Sequence, residues 1–242
     1  MLASFAVRVT RMGALSLLLL SFTTALFAQE KAHKSEPKPK KPPRGAIMLF
    51  NGKDTSHWVH RDTKEPCAWE VTPEGVLTVT PGKPDILTKE NYGDFDLHLE
   101  FKIPLMPDKK SQERGNSGVY MHGLYEIQIL DAYNNETYKF GGCGAIYGQK
   151  DPDKNACKPP EEWQTYDIQF RAPRFGADGS ISEKPVISVR WNGVKVHDKV
   201  EINNSTAASL GTAPTPEGPL MLQNHGTPVQ YRNIWIVPKK RK

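Results

Sequence analysis

The sequence lacks the patterns that mark helical bundles, repeat arrays and thiolate metal sites. No stretch carries apolar residues at three-to-four spacing over several turns, and no segment repeats within the chain. Only three cysteines occur among the 242 residues, and none has the short C-x-x-C spacing of a zinc-binding pair. These absences argue against a helical bundle, a repeat protein and a metal site built from cysteines.

The one long hydrophobic run lies at the N-terminus. Arg8 and Arg11 precede the run GALSLLLLSFTTALFA, and the small residue Ala28 suits a cleavage position. We therefore predict a signal peptide over residues 1–28, because the run is too short and wrongly flanked for a stable membrane span. An uncleaved anchor helix is the alternative. A signal peptide implies an exported protein, periplasmic or extracellular.

Positive charge is concentrated outside the region that can fold. Residues 29–44 form a Lys/Pro-rich segment, predicted to be a flexible or extended linker, and residues 239–242 form a basic tail. Of the net charge of +5, residues 1–28 contribute +2 and these two segments contribute +4 each, which leaves −5 for residues 45–238. The domain itself therefore shows no sign of nucleic-acid binding.

From residue 45 to residue 238 the sequence predicts short strands separated by Gly/Pro turns. The segment DFDLHLEFKI alternates apolar and polar residues, and PVISVRWNGVKVHDKV predicts a hairpin that turns at Asn192-Gly193. We predict one all-β domain, an antiparallel β-sandwich of the jelly-roll type. The long loop between Tyr133 and Glu162 is rich in Gly, Pro and Lys, as functional or mobile loops are.

The three cysteines leave at least one thiol free. Export permits a disulfide, and a bond between Cys143 and Cys157 would close the long loop and leave Cys67 unpaired. The sequence alone does not fix that pairing.

Polar side chains interrupt the strand pattern of the stretch GNSGVYMHGLYEIQILDAY. If Ile127 and Ile129 enter a core, Glu126 and Gln128 share the opposite face, and Asp131 follows the strand end. That face is either ordinary wet surface or the lining of a cleft. Glu126 is the first candidate for a general base, and a surface glutamate paired with a neighbouring cation is the alternative.

Further candidates come from other strands and from the long loop. Glu100, Asp131 and His225 are candidate catalytic groups, with surface or structural roles as the alternatives. Arg232 is a candidate donor of hydrogen bonds to a carbonyl oxygen of the substrate, since a guanidinium is permanently charged and forked. A structural ion pair is the equal alternative for this residue. Asn116 is expected to shape a turn. The remaining candidates for substrate binding are Gln128, Gln223, Tyr147, Lys158 and Glu162.

A divalent metal ion stays open as a cofactor. Glu126, Asp131, Glu100 and His225 offer the oxygen and nitrogen donors of a site that polarises a ketone. Nothing in their spacing demands a metal, because these residues come from separate strands.

Eight motifs in a fixed order carry a family resemblance. They are LFNGKDTSHW, DFDLHLEFKIP, GNSGVYMH, YEIQILD, GAIYG, EEWQTYDI, WNGVKV and LQNHGTPVQYRNIWI. This set resembles the bacterial 3-keto-disaccharide hydrolase family over the range from Met48 to Val237. The resemblance implies a concanavalin A-like sandwich. It also implies action on glycosides already oxidised at C3, by hydrolysis or by a lyase step followed by hydration.

The implied substrate sets the chemistry that the site must perform. A ketone at C3 acidifies the hydrogen on C2, so a base can remove it, the C1 substituent can leave, and water can add back. Such a site needs a general base, a cation or hydrogen-bond donor on the C3 oxygen, and an acid near the leaving oxygen. The preferred function is therefore cleavage of small or oligomeric 3-keto-glycosides by an exported enzyme.

Two other functions stay open. A conventional glycoside hydrolase needs two carboxyl groups, but Gln128 stands where the E-x-D motif of sandwich glucanases has its second acid. A non-catalytic carbohydrate-binding module is the other alternative, because sandwiches of this type host both roles. The sequence does not reveal the linkage, the anomer or the oligomeric state.

Overall fold

The computed structural model describes residues 36–240. The predicted signal peptide, residues 1–28, lies outside the described residues. The chain divides into two units, Met1–Pro37 and Lys38–Lys242, and every strand described below belongs to the second unit. Within residues 36–240, no helix is long and apolar enough to cross a membrane.

Two antiparallel sheets and a short hairpin contain all the described strands. The larger sheet has eight strands, which are β1 (Ile47–Phe50), β3 (Glu70–Val71), β4 (Leu77–Thr78), β6 (Phe95–Lys102), β9 (Trp163–Arg171), β12 (Val186–Trp191), β13 (Val194–Glu201) and β15 (Gln230–Pro238). The smaller sheet has five strands, which are β2 (Trp58–His60), β5 (Ile86–Thr88), β7 (Ser117–Met121), β8 (Tyr125–Ile129) and β14 (Met221–Leu222). The hairpin pairs β10 (Arg174–Phe175) with β11 (Ile181–Glu183), and a single 3-10 turn spans Ser111–Glu113.

The strand order confirms the predicted sandwich. The larger sheet runs β13-β12-β9-β6-β15-β4-β3, with β1 also paired to β15, and the smaller sheet runs β2-β5-β14-β7-β8. Most neighbours are distant in sequence, as in a jelly roll. One apolar core between the sheets contains Leu99 and Phe101 of β6 together with Ile127 and Ile129 of β8. This is the all-β, concanavalin A-like class that the sequence predicts.

Two hairpins form where the sequence places a residue pair that tolerates positive φ. Asn192 and Gly193 have φ values of 51° and 80° and join β12 to β13, as predicted. His122 and Gly123 have φ values of 55° and 63° and contribute to the tight turn between β7 and β8. Turns with two such residues match the right-handed twist of the flanking strands, so they fix the register of each hairpin.

The hairpin of β7 and β8 positions the polar residues of the opening motif. Val119 and Ile127 enter the core, so Tyr120 and Glu126, which pair across the two strands, face away from it. Glu126 is nevertheless only 2% exposed. The polar side of this hairpin is therefore the lining of a cleft rather than open surface.

Lys40, in the predicted linker, contacts the larger sheet. The segment from residue 36 to residue 43 has no regular secondary structure. The backbone N–H of Lys40 donates to Glu100 (2.9 Å), and the Asn233 amide donates to the Lys40 carbonyl (2.8 Å). The ammonium group of Lys40 pairs with Asp167 at 2.7 Å. Lys40 is therefore held against the larger sheet by its backbone and by its side chain.

Candidate active site

A polar cavity of about 200 Å³ opens on the outer face of the smaller sheet. Strands β7 and β8 supply its floor through Tyr120, Glu126 and Gln128. The long loop contributes Tyr147, and the segment after β14 contributes Gln223 and His225.

A larger hollow of about 480 Å³ is a weaker candidate. Its lining includes Asp94, but the carboxylate of Asp94 accepts hydrogen bonds from Arg174 (2.9 Å) and from the backbone N–H of Ala172 (2.9 Å). These donors hold the pKa of Asp94 below its ordinary value, although burial opposes them. An acid held in this way is a poor proton acceptor, so the cavity around Glu126 is the better site.

Glu126 is the chemical centre of the cavity. Burial raises the pKa of Glu126 to about 8; a hydrogen bond from Tyr120 opposes this rise, and the nearby negative charge of Asp85 adds to it. The backbone N–H of Glu126 donates to the Thr206 hydroxyl (3.1 Å), which holds the strand under the loop that follows β13. A carboxyl with a pKa close to neutral can both take and return a proton, as general acid–base catalysis requires.

A glycine makes room for this carboxyl. A Cβ atom placed on Gly118 would lie 2.2 Å from Glu126 Oε1 and 2.9 Å from a ring carbon of Tyr120. Gly118 has no left-handed backbone, so space rather than φ requires the glycine. The last residue of the GNSG motif thus supplies a gap that the Glu126 carboxyl fills.

Two tyrosines flank Glu126. The hydroxyl of Tyr120 lies within hydrogen-bond distance of the Ala207 carbonyl (3.1 Å) and of the Glu126 carboxyl, so its one proton serves one of these two acceptors at a time. It also accepts from the side-chain amide of Gln223 (3.1 Å). The hydroxyl of Tyr147 forms a hydrogen bond with the hydroxyl of Tyr138. Burial raises the pKa of both Tyr120 and Tyr147, so both hydroxyls stay protonated and can act as hydrogen-bond donors.

Amide side chains line the rest of the cavity. Asn116 and Gln128 are each 1% exposed. The side-chain oxygens of Asn116, Gln128 and Gln223 have no hydrogen-bond partner among residues 36–240. A buried acceptor without a partner costs about 1–3 kcal/mol, so such groups indicate a place where a ligand supplies the donor.

The long loop lies along the outer edge of β8. Gln128 donates its backbone N–H to the Ala145 carbonyl (3.0 Å) and accepts at its own carbonyl from Gly144 (2.9 Å). The backbone N–H of Tyr147 donates to the carbonyl of Glu126 (3.2 Å). No disulfide contributes, because Cys143, Cys157 and Cys67 are all free thiols. Backbone hydrogen bonds therefore place Tyr147 beside the catalytic candidate.

The structure brings five of the sequence-predicted residues together. Glu126, Gln128, Tyr147, Gln223 and His225 all line this cavity. His225 is exposed and follows the end of β14, so solvent reaches it. Their grouping agrees with the expectation of a cleft, and their chemical roles stay predictions.

Glu100 and Arg232 lie on the outer face of the other sheet. Arg232 Nε donates to Glu100 Oε2 at 2.7 Å, and the Arg232 guanidinium lies 4.0 Å from the ring centre of Trp163. Neither residue lines the cavity, so the expectation that they share a cleft with Glu126 is not met. Strand alternation indicates that Glu100 faces away from the core, but not which sheet carries it.

The other three candidates also lie outside the cavity. Asp131 is 1% exposed, accepts from Arg114 Nε (2.6 Å) and accepts from the backbone N–H of Tyr133 (2.9 Å). Lys158 donates its ammonium group to the carbonyl of Trp163 (2.8 Å). Glu162 is exposed at the start of β9. Their contacts stabilise the ends of strands and of the long loop.

The four donors considered for a metal are not assembled. Glu126 and His225 line the cavity, whereas Glu100 and Asp131 are held elsewhere. Across the described part of the chain, no group of three or more His, Cys, Asp and Glu residues is arranged to hold a metal ion.

Sequence reasoning missed four residues of the site. Asn116 lines the cavity instead of only shaping a turn, and Gln112, Tyr120 and Gly118 received no role. Alternation contained the signal for two of them, since Tyr120 and Gly118 share the face opposite Val119. Gln112 lies in a 3-10 turn with no periodic pattern, so nothing in the sequence indicated its position.

Comparison with known proteins places the chain in a family. Residues 45–237 match the family described as 3-keto-alpha-glucoside-1,2-lyase-like domain, whereas no curated protein matches. The solved structure of a presumed glycosyl hydrolase from Parabacteroides distasonis is 39% identical, covers 87% of this chain and 96% of its own, and has a TM-score of 0.75. A second one from that organism is 20% identical, covers 84% and 100%, has a TM-score of 0.64, and shows the fold alone. Because the family match spans most of its length, this chain belongs to the 3-keto-alpha-glucoside-1,2-lyase-like domain family.

Proposed function

We propose that this carbohydrate-active domain is an exported enzyme that cleaves the glycosidic bond of 3-keto-glycosides by elimination and rehydration. The observation that carries the proposal is Glu126, a carboxyl only 2% exposed whose pKa is raised to about 8 and which lines a polar cavity. Membership of the family supports the substrate class.

The first step removes the proton on C2. Ionised Glu126 takes this proton, and the electron pair of the C–H bond forms the C2–C3 double bond of an enolate, whose negative charge lies on the C3 oxygen. The hydroxyl of Tyr147 donates a hydrogen bond to that oxygen; its raised pKa keeps it protonated. Hydrogen-bond donors fixed before the reaction stabilise a developing charge more than bulk water does.

The second step expels the leaving group. The enolate electrons restore the C3 carbonyl, a double bond forms between C1 and C2, and the bond from C1 to the glycosidic oxygen breaks. His225, which is exposed and lines the cavity, gives a proton to the leaving oxygen. Water then adds to C1 and loses a proton to His225. Glu126, whose proton exchanges with solvent while the leaving group departs, gives a proton to C2, so both groups are regenerated.

The same residues disfavour a conventional glycoside hydrolase. That mechanism needs two carboxyl groups on either side of C1. Glu126 alone carries a carboxyl among the described residues that line the cavity. A non-catalytic carbohydrate-binding role is the second candidate. The amide oxygens without partners suit it as well as they suit an enzyme, because they would accept sugar hydroxyls in both.

The test is incubation with 3-keto-trehalose in deuterated water, with and without a chelator. We expect cleavage with deuterium at C2 of the released 3-keto-glucose, while unoxidised trehalose, the matched control, stays intact. A binding module would leave both sugars intact, and a conventional hydrolase would cleave trehalose. Cleavage of 3-keto-trehalose without deuterium at C2 would refute the elimination.

A further inference from the structure

Gln112 connects three parts of the cavity wall. Its side-chain Nε2 donates to Thr137 Oγ1 (2.6 Å) and to the carbonyl of Gly141 (2.8 Å), both on the long loop. Its side-chain Oε1 accepts from the amide nitrogens of Asn116 (3.1 Å) and Gln128 (3.1 Å). One side chain thus joins the 3-10 turn, the long loop, the residue before β7 and strand β8.

These contacts fix the orientation of three amides in sequence. A backbone carbonyl can only accept a hydrogen bond, so the Gly141 carbonyl turns the nitrogen of Gln112 towards itself. Oε1 of Gln112 then faces Asn116 and Gln128, and an oxygen can only accept from their nitrogens. Rotating the side-chain amide of Asn116 or of Gln128 by half a turn would place its oxygen against Oε1 of Gln112.

The amide oxygens of Asn116 and Gln128 are consequently left as acceptors. Asn116 Nδ2 also donates to the Gln112 carbonyl (2.8 Å), so the nitrogen of this amide is fully used. Asn116 Oδ1 and Gln128 Oε1 have no partner within the residues that the structure describes, and each side chain is 1% exposed. Folded proteins satisfy nearly all buried acceptors, so two unpartnered amide oxygens on side chains that line one cavity point to a ligand that donates.

The chemistry of a 3-keto sugar limits which groups can donate. Its C3 carries no hydroxyl and its C1 oxygen is bonded to the leaving group, so hydroxyl donors remain at C2, C4 and C6. C2 is the carbon that Glu126 attacks under the proposed function, which places the C2 hydroxyl beside Glu126. The hydroxyls at C4 and C6 are then the donors available to the amide pair.

We propose that Gln112 is a positioning residue that holds Asn116 and Gln128 as a pair of acceptors for the C4 and C6 hydroxyls of the oxidised ring. The pair selects a sugar with free hydroxyls at both carbons and rejects rings substituted or reduced there. This inference rests on the proposed function for the identity of the ring, but its test does not depend on turnover.

The first experiment uses calorimetric binding of 3-keto-glucose and of its 4-deoxy-4-fluoro and 6-deoxy-6-fluoro analogues. Fluorine has about the size of a hydroxyl oxygen and cannot donate a hydrogen bond. We expect each analogue to bind the wild-type protein about 10-fold or more weakly than 3-keto-glucose. Replacing a hydroxyl by fluorine removes the donor and leaves a buried amide oxygen without a hydrogen bond. Equal affinity for all three sugars, or no binding of 3-keto-glucose, would overturn the inference.

The second experiment tests Gln112 itself. In Gln112→Met the amide of Gln128 loses its side-chain partner and can turn its nitrogen to fluorine, whereas Asn116 keeps its hydrogen bond to the backbone carbonyl of residue 112. The penalty for at least one of the two analogues should therefore fall to about 3-fold or less. The KM for 3-keto-trehalose should rise about 10-fold while kcat changes little. Gln149→Met is the matched control: Gln149 lies on the long loop outside the cavity, bonded to Asn203 and Asn204, and should leave both ratios unchanged.

The outcomes separate the two proposals. Discrimination against the fluoro sugars without any cleavage of 3-keto-trehalose refutes the enzyme and keeps the acceptor pair. Cleavage without discrimination keeps the enzyme and refutes the pair. Full discrimination retained in Gln112→Met refutes the role of Gln112. The wild-type measurement needs no variant, so it decides the ligand chemistry even if Gln112→Met does not fold.

Discussion

Glu126 and Glu100 are two buried glutamates on the outer faces of opposite sheets, with opposite electrostatics. Their exposed fractions are 2% and 3%. The pKa of Glu126 is raised to about 8, whereas the pKa of Glu100 is lowered to about 2. The ordinary value of both is 4.5. Burial alone therefore does not decide what a buried carboxyl does.

The donors around each carboxyl explain the difference. Burial by itself raises the pKa of Glu100. The nearby His98 ring, whose Nε2 lies 3.5 Å from Glu100 Oε1, and hydrogen bonds from Asn233 (2.9 Å), the Lys40 N–H (2.9 Å) and Arg232 (2.7 Å) outweigh burial. Only Tyr120 opposes burial at Glu126, and Asp85 reinforces it. Glu100 is satisfied by the fold, whereas Glu126 gains by binding a proton or a ligand.

Glu126→Gln should have the largest effect on activity and none on folding. We expect kcat on 3-keto-trehalose to fall about 10³-fold, because an amide cannot accept the C2 proton. The folded-state pKa of Glu126 lies above the unfolded value. Its contribution to stability is therefore full below pH 4.5 and is lost as the pH rises through about 8. The always-neutral variant should match or exceed the wild-type melting temperature at pH 8. Turnover near the wild-type rate would remove Glu126 as the base.

Glu100→Gln should reverse this pattern. We expect a loss of about 3 kcal/mol in the free energy of unfolding at pH 7, because an amide replaces the buried carboxylate that pairs with Arg232 (2.7 Å) and accepts from Asn233 and the Lys40 N–H (2.9 Å each). Chemical denaturation measures this loss, and kcat should stay within about 2-fold. The pKa of Glu100 is lowered on folding, so its contribution is present above pH 4.5 and is lost as the pH falls to about 2. A stability gap between wild type and variant that did not narrow in acid would contradict this account.

Gly118→Ala tests the space around Glu126. A methyl group there would displace the carboxyl, so we expect kcat to fall about 10²-fold, since small misplacements of reacting groups are costly. Gly211→Ala is the control, because its added methyl group meets open space. If both variants keep wild-type rates, Gly118 is not required for the placement of Glu126.

The pH dependence of kcat/KM distinguishes a base from an acid. A base must be ionised, so the rate should increase with pH, by about 10-fold per pH unit where Glu126 controls it, up to a pKa of about 8. Glu126 as a general acid would give no such rise below that pH. Steady-state rates between about pH 6 and 10, about two pH units on either side of the pKa, separate the two outcomes.

Lys40→Ala should have the smallest effect. It removes the ion pair with Asp167 and the contact of the ammonium group with Trp235, but it keeps the backbone hydrogen bond to Glu100. The Lys40 side chain is 53% exposed. We expect a loss of about 0.5–1 kcal/mol in unfolding free energy and no change in kcat. A reduced kcat would mean that the two faces of the sandwich are coupled.

The fold could be predicted from local patterns because those patterns have local causes. Alternation over Phe95–Lys102 requires one apolar face, and Asn192-Gly193 favours a turn that only a hairpin uses. The sheet order could not be predicted in this way, since it depends on pairings between strands distant in sequence. Glu100 and Glu126 therefore gave the same signal and ended in different sheets.

The site could be predicted where its residues lie on or next to strands. Glu126, Gln128 and Gln223 follow from alternation, whereas Gln112 lies in a turn and acts through hydrogen bonds to other side chains. Such contacts depend on tertiary structure. The raised pKa of Glu126 likewise depends on what covers it, which strand periodicity does not reveal.

The segment from Gly144 to Tyr147 has a second consequence through its hydrogen bonds to β8. Strand β8 ends the smaller sheet, and an uncovered end strand of this kind invites pairing with another polypeptide. The loop forms backbone hydrogen bonds along that edge. The same residues that bring Tyr147 to Glu126 therefore cover an edge at which another chain could pair and aggregate. Shortening the loop would therefore lower solubility as well as catalysis.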